Sequence, residues 1–165
     1  PAQKTIMNLV NLKMQIKAGA EVVQLFDSWA GALPEPLFAR YSITPAQKIV
    51  KALKKHHPDV PVIGFPKGAG IRYTSYVKET GIDAVGLDNT LPLEWVRDTL
   101  QPHACVQGNL DPFLLRSGGE VMRHEIAHIL KTLGSNPFIF NLGHGILPDT
   151  PIEHVEALIA QVRGG

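Results

Sequence analysis

Five short apolar runs of this chain each end in residues that could do chemistry. Asp27, Ser28 and Trp29 close the first, and Lys67 with two glycines closes the second, with Arg72 just behind. Asp88 and Asn89 close the third, Gln107, Asn109 and Asp111 the fourth, and Asn141 and His144 the fifth. Carboxylates, amides, a hydroxyl, an imidazole and two cations could together bind a charged, hydrogen-bonding ligand. The same types also serve turns and helix caps. Asp111, directly before Pro112, reads as a cap, and Asp88 and Asn89 fit either reading. His144 stands apart, because histidine has no special turn role. It lies between Gly143 and Gly145, where bare backbone can approach a ligand closely. An imidazole there can donate a hydrogen bond to a carboxylate, more strongly when protonated.

A second histidine pattern competes for a role. The stretch HEIAH, His124 to His128, matches the spacing of a zinc protease helix. At about 100° per residue, Met122, Ile126, Ile129, Leu130 and Leu133 share one helical face, and both histidines lie opposite it beside Lys131. The apolar face belongs on a sheet, so the histidines are expected in solvent, and no third ligand follows them. The lone Cys105 rules out an internal disulfide and an all-cysteine metal site, and its apolar flanks predict a buried thiol. No phosphate-cradling loop, serine elbow or dinucleotide fingerprint is present.

Helical and extended patterns alternate along the chain. Residues 2 to 18 read as an amphipathic helix with Gly19 as its stop. Five strand–helix units follow, with strands at EVVQLFDSW, VPVIGF, DAVGLD, ACVQGN and FIFNLG. Three helices carry capping-box spacing: Thr44 with Gln47, Ser117 with Glu120, and Thr150 with Glu153. The strands are short, rich in Val, Ile and Phe, and predict burial on both faces. That order predicts an α/β fold with parallel strands. It suits the C-terminal part of a (β/α)8 TIM barrel, about five units after one helix, with strand ends forming the site. A smaller doubly wound domain is the alternative. Residues 1–165 read as one partial barrel domain without the N-terminal barrel strands, and the start at Pro1 reads as lying inside a longer protein.

Net charge is +1 with a pI near 8.4, which predicts neither a nucleic-acid binder nor an acidic tail. No run of about 18 apolar residues occurs, so no membrane partner is expected. No signal peptide is seen, and the cytoplasm is the expected compartment.

Read together, QLFDSWAG, GFPKGAG, VGLDNT, QGNLDP and FNLGHGILPDTP, in this order and spacing, closely resemble the uroporphyrinogen decarboxylase family. The last segment is the most specific, and the resemblance covers essentially the whole chain. It implies the C-terminal half of a barrel enzyme that decarboxylates the four acetate side chains of uroporphyrinogen III to coproporphyrinogen III, in haem biosynthesis. It implies no metal, no organic cofactor, a cytoplasmic setting and a homodimer. By the same resemblance Ser28 is the small hydroxyl that hydrogen-bonds substrate, His144 the substrate-binding histidine near the propionate and acetate carboxylates, and Phe26 an aromatic of the cleft. The family's arginine-rich motif, its key aspartate and a cleft tyrosine belong upstream of Pro1, so no catalytic residue is assigned in this chain. Asn89 departs from the family, where an aromatic is common. The expectation is therefore an isolated chain that is inactive and self-associates. Two alternatives are a zinc-dependent corrinoid methyltransferase of related fold and a non-catalytic tetrapyrrole-binding fragment.

Overall fold

The computed structural model describes residues 2–164 and divides the chain into two compact units, one ending at Gly86 and the other starting at Leu87. Five strands, parallel wherever they pair within a unit, alternate with helices. The predicted α/β fold is therefore present.

The first unit contains helix α1 (Ala2–Lys17), strand β1 (Val23–Asp27), helices α2 (Glu35–Phe38) and α3 (Thr44–Lys54), strand β2 (Val62–Pro66), helix α4 (Tyr73–Thr80) and strand β3 (Ala84–Gly86). β2 is buried at every residue and pairs on both sides, with Val23 opposite Val62 and Ile63 opposite Ala84. Its two neighbours explain why this strand tolerates a glycine. A Cβ on Gly64 would meet the Tyr76 ring at 2.6 Å, so the missing side chain makes room for a tyrosine of α4. Phe38, Leu53, Tyr73, Tyr76 and Val85 complete the core around it. At the start of β2, the Asp83 carboxylate accepts from the Val62 N–H at 2.7 Å and from Lys54 Nζ at 2.8–3.0 Å. That ion pair ties α3 to the strand edge.

Thr44 is the first residue of α3 but does not cap it. Helical backbone runs from α2 through a π-helical turn (Ala39–Ile43) into α3, with Ile43 already helical and no side-chain cap present. Thr44 Oγ1 instead donates back to the Ala39 carbonyl at 2.9 Å, and Gln47 Nε2 donates to Glu79 O at 3.0 Å. Pro45 is the physical reason. It lacks an N–H and its ring crowds the carbonyl four residues back, and a wider π turn relieves that crowding.

The second unit contains helix α5 (Leu93–Thr99), strand β4 (Cys105–Leu110), helices α6 (Pro112–Ser117) and α7 (Gly119–Leu133), strand β5 (Phe138–Leu142) and helix α8 (Ile152–Gly164). β4 and β5 pair from Val106 opposite Phe138 to Leu110 opposite Leu142. Asp111 caps α6 as expected, accepting from Phe113 N–H at 2.8 Å. The other two capping boxes do not form. Ser117 is the last residue of α6, and the turn into α7 uses Gly118 and Gly119, both at positive φ. Thr150 Oγ1 is buried with no hydrogen-bond partner among the described residues, rather than capping α8. His154 Nδ1 lies 3.0–3.1 Å from the carbonyls of Leu115 and Arg116 and donates there, joining α8 to the end of α6.

Helix α7 buries Met122, Ile126, Ile129 and Leu133, which leaves His124 exposed and His128 half-buried. His128 Nε2 is 4.0 Å from Glu94 Oε1. Burial on both faces holds for β2 and β3 and, but for half-buried Cys105, for β4. It fails for β1, where Phe26 is exposed, and for β5, where Ile139 and Asn141 are. Cys105 is half-buried rather than fully enclosed, and that burial pushes its thiol pKa up. No helix among the described residues is long and apolar enough to cross a membrane.

Candidate substrate-binding residues

At the C-terminal ends of β1 and β2 the backbone is stitched together before any side chain is considered. Lys67 N–H donates to the Asp27 carbonyl at 3.1 Å, and Gly31 N–H donates to the Lys67 carbonyl at 2.9 Å. Gly31 must be glycine, because a Cβ there would meet Gly68 O at 2.5 Å. Arg72 locks the same loop. Its guanidinium donates to the carbonyls of Leu33 and Gly31, the latter at 3.1 Å, and its Nε donates to Ala69 O at 3.0 Å. It also stands 4.8 Å from the centre of the Phe38 ring. Arg72 therefore acts as a loop clamp, which removes it from the candidate ligand cations.

This fixed loop turns Ser28 and Trp29 outward, and both are exposed. Phe26 is 67 % exposed and meets Phe65 edge-on, with ring centres 6.0 Å apart. An open aromatic face and an open hydroxyl thus leave β1 side by side. They offer stacking surface and one directional donor. Beside them, a cavity of about 280 Å³ opens in this unit, walled by α1, β1, the π turn and α3.

The strand ends of the second unit separate in the same way. Asp88 is buried and accepts from the backbone N–H of Thr90 at 3.0 Å and from its hydroxyl. Asn109, also buried, donates through Nδ2 to the carbonyls of Asp88 at 3.0 Å and Leu91 at 3.4 Å. Asn89 donates to Asp111 Oδ2 at 3.0 Å, and Asn141 Oδ1 accepts from Leu142 N–H. These groups hold turns. Gly143 N–H donates to the Leu110 carbonyl at 2.8 Å, and a Cβ on Gly143 would meet Asn89 N at 2.4 Å. Gly145 has nothing within 4 Å of such a Cβ. So Gly143 serves packing, Gly145 lies open, and His144 between them is exposed. Among the described residues, no three of His, Cys, Asp and Glu are grouped so as to hold a metal ion.

Phe26 and Ser28 thus share one strand end of the first unit, while His144 follows the last strand of the second. Of the polar residues of the cavity, sequence reasoning singled out Asp27 and missed Ser42. The signal was Pro45 inside a helical pattern, which marks an irregular turn.

The uroporphyrinogen decarboxylase family model matches residues 4–164. This chain belongs to that family. It is 56% identical over 149 residues to uroporphyrinogen decarboxylase of Rhodospirillum rubrum, covering 90% of this chain and 43% of that protein. The same enzyme of Sphingopyxis alaskensis is 52% identical over 159 residues, covering 96% and 46%. The chain therefore spans less than half the length of these curated relatives. In structure it resembles a methyltransferase from Methanosarcina mazei, with a TM-score of 0.74, 97% of this chain and 47% of that one covered, and 21% identity. That likeness is one of fold, so it lends no weight to methyltransferase chemistry here.

Proposed function

We propose that this chain is the C-terminal part of a uroporphyrinogen decarboxylase, acting on the four acetate side chains of uroporphyrinogen III to give coproporphyrinogen III. The observation that carries the reading is identity of 56% to a named uroporphyrinogen decarboxylase across 90% of the chain. Residues 1–165 then belong to one (β/α)8 barrel domain of a longer protein.

In this reading Phe26 lies against the tetrapyrrole, and Ser28 and His144 donate hydrogen bonds to its carboxylates. Their exposure at strand ends supports these roles. Each decarboxylation breaks a C–C bond, releases CO₂ and leaves an electron pair on the acetate methylene. A pyrrole protonated beforehand accepts that pair, a proton then completes the methyl group, and the ring gives up its extra proton, so one proton is consumed for each CO₂ released. Stabilising this charge shift needs a preorganised anion near the ring. That anion is assigned to the rest of the full-length protein, and neither metal nor organic cofactor is invoked. The reading also includes a cytoplasmic homodimer. Exposed Ile6, Met7, Val10 and Met14 on α1 support self-association of the isolated chain.

The test is an anaerobic assay with uroporphyrinogen III and chromatography of the porphyrins after oxidation. The chain alone is expected to leave substrate unchanged. The chain fused behind the N-terminal part of the Rhodospirillum rubrum enzyme is expected to make coproporphyrinogen. A folded fusion that leaves uroporphyrinogen intact would overturn the assignment, and turnover by the chain alone would overturn its inactivity.

A further inference from the structure

The cavity of the first unit is not the surface formed by Ser28. Phe26 borders both, but neither Ser28 nor His144 lines the cavity. Its wall combines two kinds of group. The rings of Phe26, Trp29 and Tyr41 supply aromatic surface, buried Tyr76 closes the inner wall, and Asp27 supplies a carboxylate. Ser42, on the π turn, is 3 % exposed as a residue, and its buried hydroxyl has no hydrogen-bond partner among the described residues.

A buried hydroxyl without a partner is costly and is normally satisfied by water or ligand. Irregular π turns also concentrate at functional sites. Burial, reinforced by the negative charge of Asp27, pushes the Tyr76 hydroxyl well above its ordinary pKa, so it remains a protonated donor. The volume of about 280 Å³ lies just under the usual range for small-molecule pockets, about 300–1,000 Å³. It suits one flat ring with a short polar group. Aromatic faces beside a carboxylate favour a cation, through charge and through cation–π attraction.

We infer that the first unit carries a separate small-ligand site, at the cavity between α1, β1 and the π turn, that takes a flat cationic ring compound of the aryl-amidine class. Asp27 pairs with the cation, Ser42 accepts one of its N–H groups, and Trp29 and Tyr41 cover its faces. The site does not depend on the decarboxylase reading.

The test uses the chain as it is, with benzamidine as the probe and benzoate as the same ring with the opposite charge. Titration calorimetry is expected to show saturable one-to-one binding of benzamidine at or below about 1 mM, and none of benzoate. Asp27→Asn is expected to weaken binding about tenfold or more, and Trp29→Ala to a similar degree. Ser42→Ala is expected to weaken it severalfold. No saturation by about 10 mM benzamidine would overturn the site and leave the cavity to water. Equal binding of benzoate would overturn the charge assignment. Should Asp27→Asn fail to fold, Trp29→Ala decides: Trp29 is 79 % exposed, and unchanged affinity in that variant would place the ligand elsewhere.

Discussion

The backbone of Gly143 rests directly on that of Asn89, so that an added Cβ would stand 2.4 Å from Asn89 N and 2.8 Å from its Cα. The contact fixes where the loop bearing His144 leaves β5. Gly143→Ala forces one backbone away from the other and is expected to destabilise the chain by about 1–3 kcal/mol, the usual scale of overpacking. Gly145→Ala meets open space and is expected to change stability by less than about 0.5 kcal/mol. Urea denaturation of the two variants checks the contrast, and equal effects would contradict it.

Arg72 holds three backbone carbonyls with one planar guanidinium. Lysine carries the charge but not the fork. Arg72→Lys is therefore expected to cost about 2 kcal/mol or more, since hydrogen bonds to charged groups contribute about 1.5–3 kcal/mol. Denaturant midpoints measure it. A lysine variant as stable as the parent would show that charge alone suffices at this loop.

Tyr76 sets an alkaline limit. Its hydroxyl pKa is raised in the folded chain above the ordinary 10.0, first by burial and then by Asp27. The unfolded chain then loses this proton first. The stabilisation is complete below about pH 10 and declines as pH rises toward the folded value, at up to about 1.4 kcal/mol per pH unit. Tyr76→Phe is expected to flatten that decline relative to the parent while leaving the acid limb unchanged. Parallel alkaline limbs in stability against pH would refute it.

For the full-length enzyme, the proposed carboxylate donors can be separated from stability. Ser28 and His144 are both exposed, so neither side chain belongs to the buried core. Ser28→Ala and His144→Asn are each expected to lower kcat/KM by about 10- to 100-fold, the loss of one hydrogen bond to a charged group. The melting temperature should stay within about 1 °C of the parent. A fall in melting temperature matching the loss of activity would make them structural residues.

The order of elements, the parallel α/β class and the family were all legible along the chain, because each rests on local period or contiguous motif. The face of α7 illustrates this: 3.6-residue spacing alone separates Met122, Ile126, Ile129 and Leu133 from the HEIAH histidines. So does Asp111, whose cap needs only its next neighbours. The tertiary structure decided what the other polar residues do. Asp, Asn and Arg at strand ends, and Thr at a helix start, can serve a ligand or a backbone with equal chemistry. Only the folded chain brings Leu33 O to Arg72, Asp88 O to Asn109 and Ala39 O to Thr44. It likewise split the glycines around His144 into one pressed against Asn89 and one in the open, a difference of spatial neighbours that no spacing along the chain encodes.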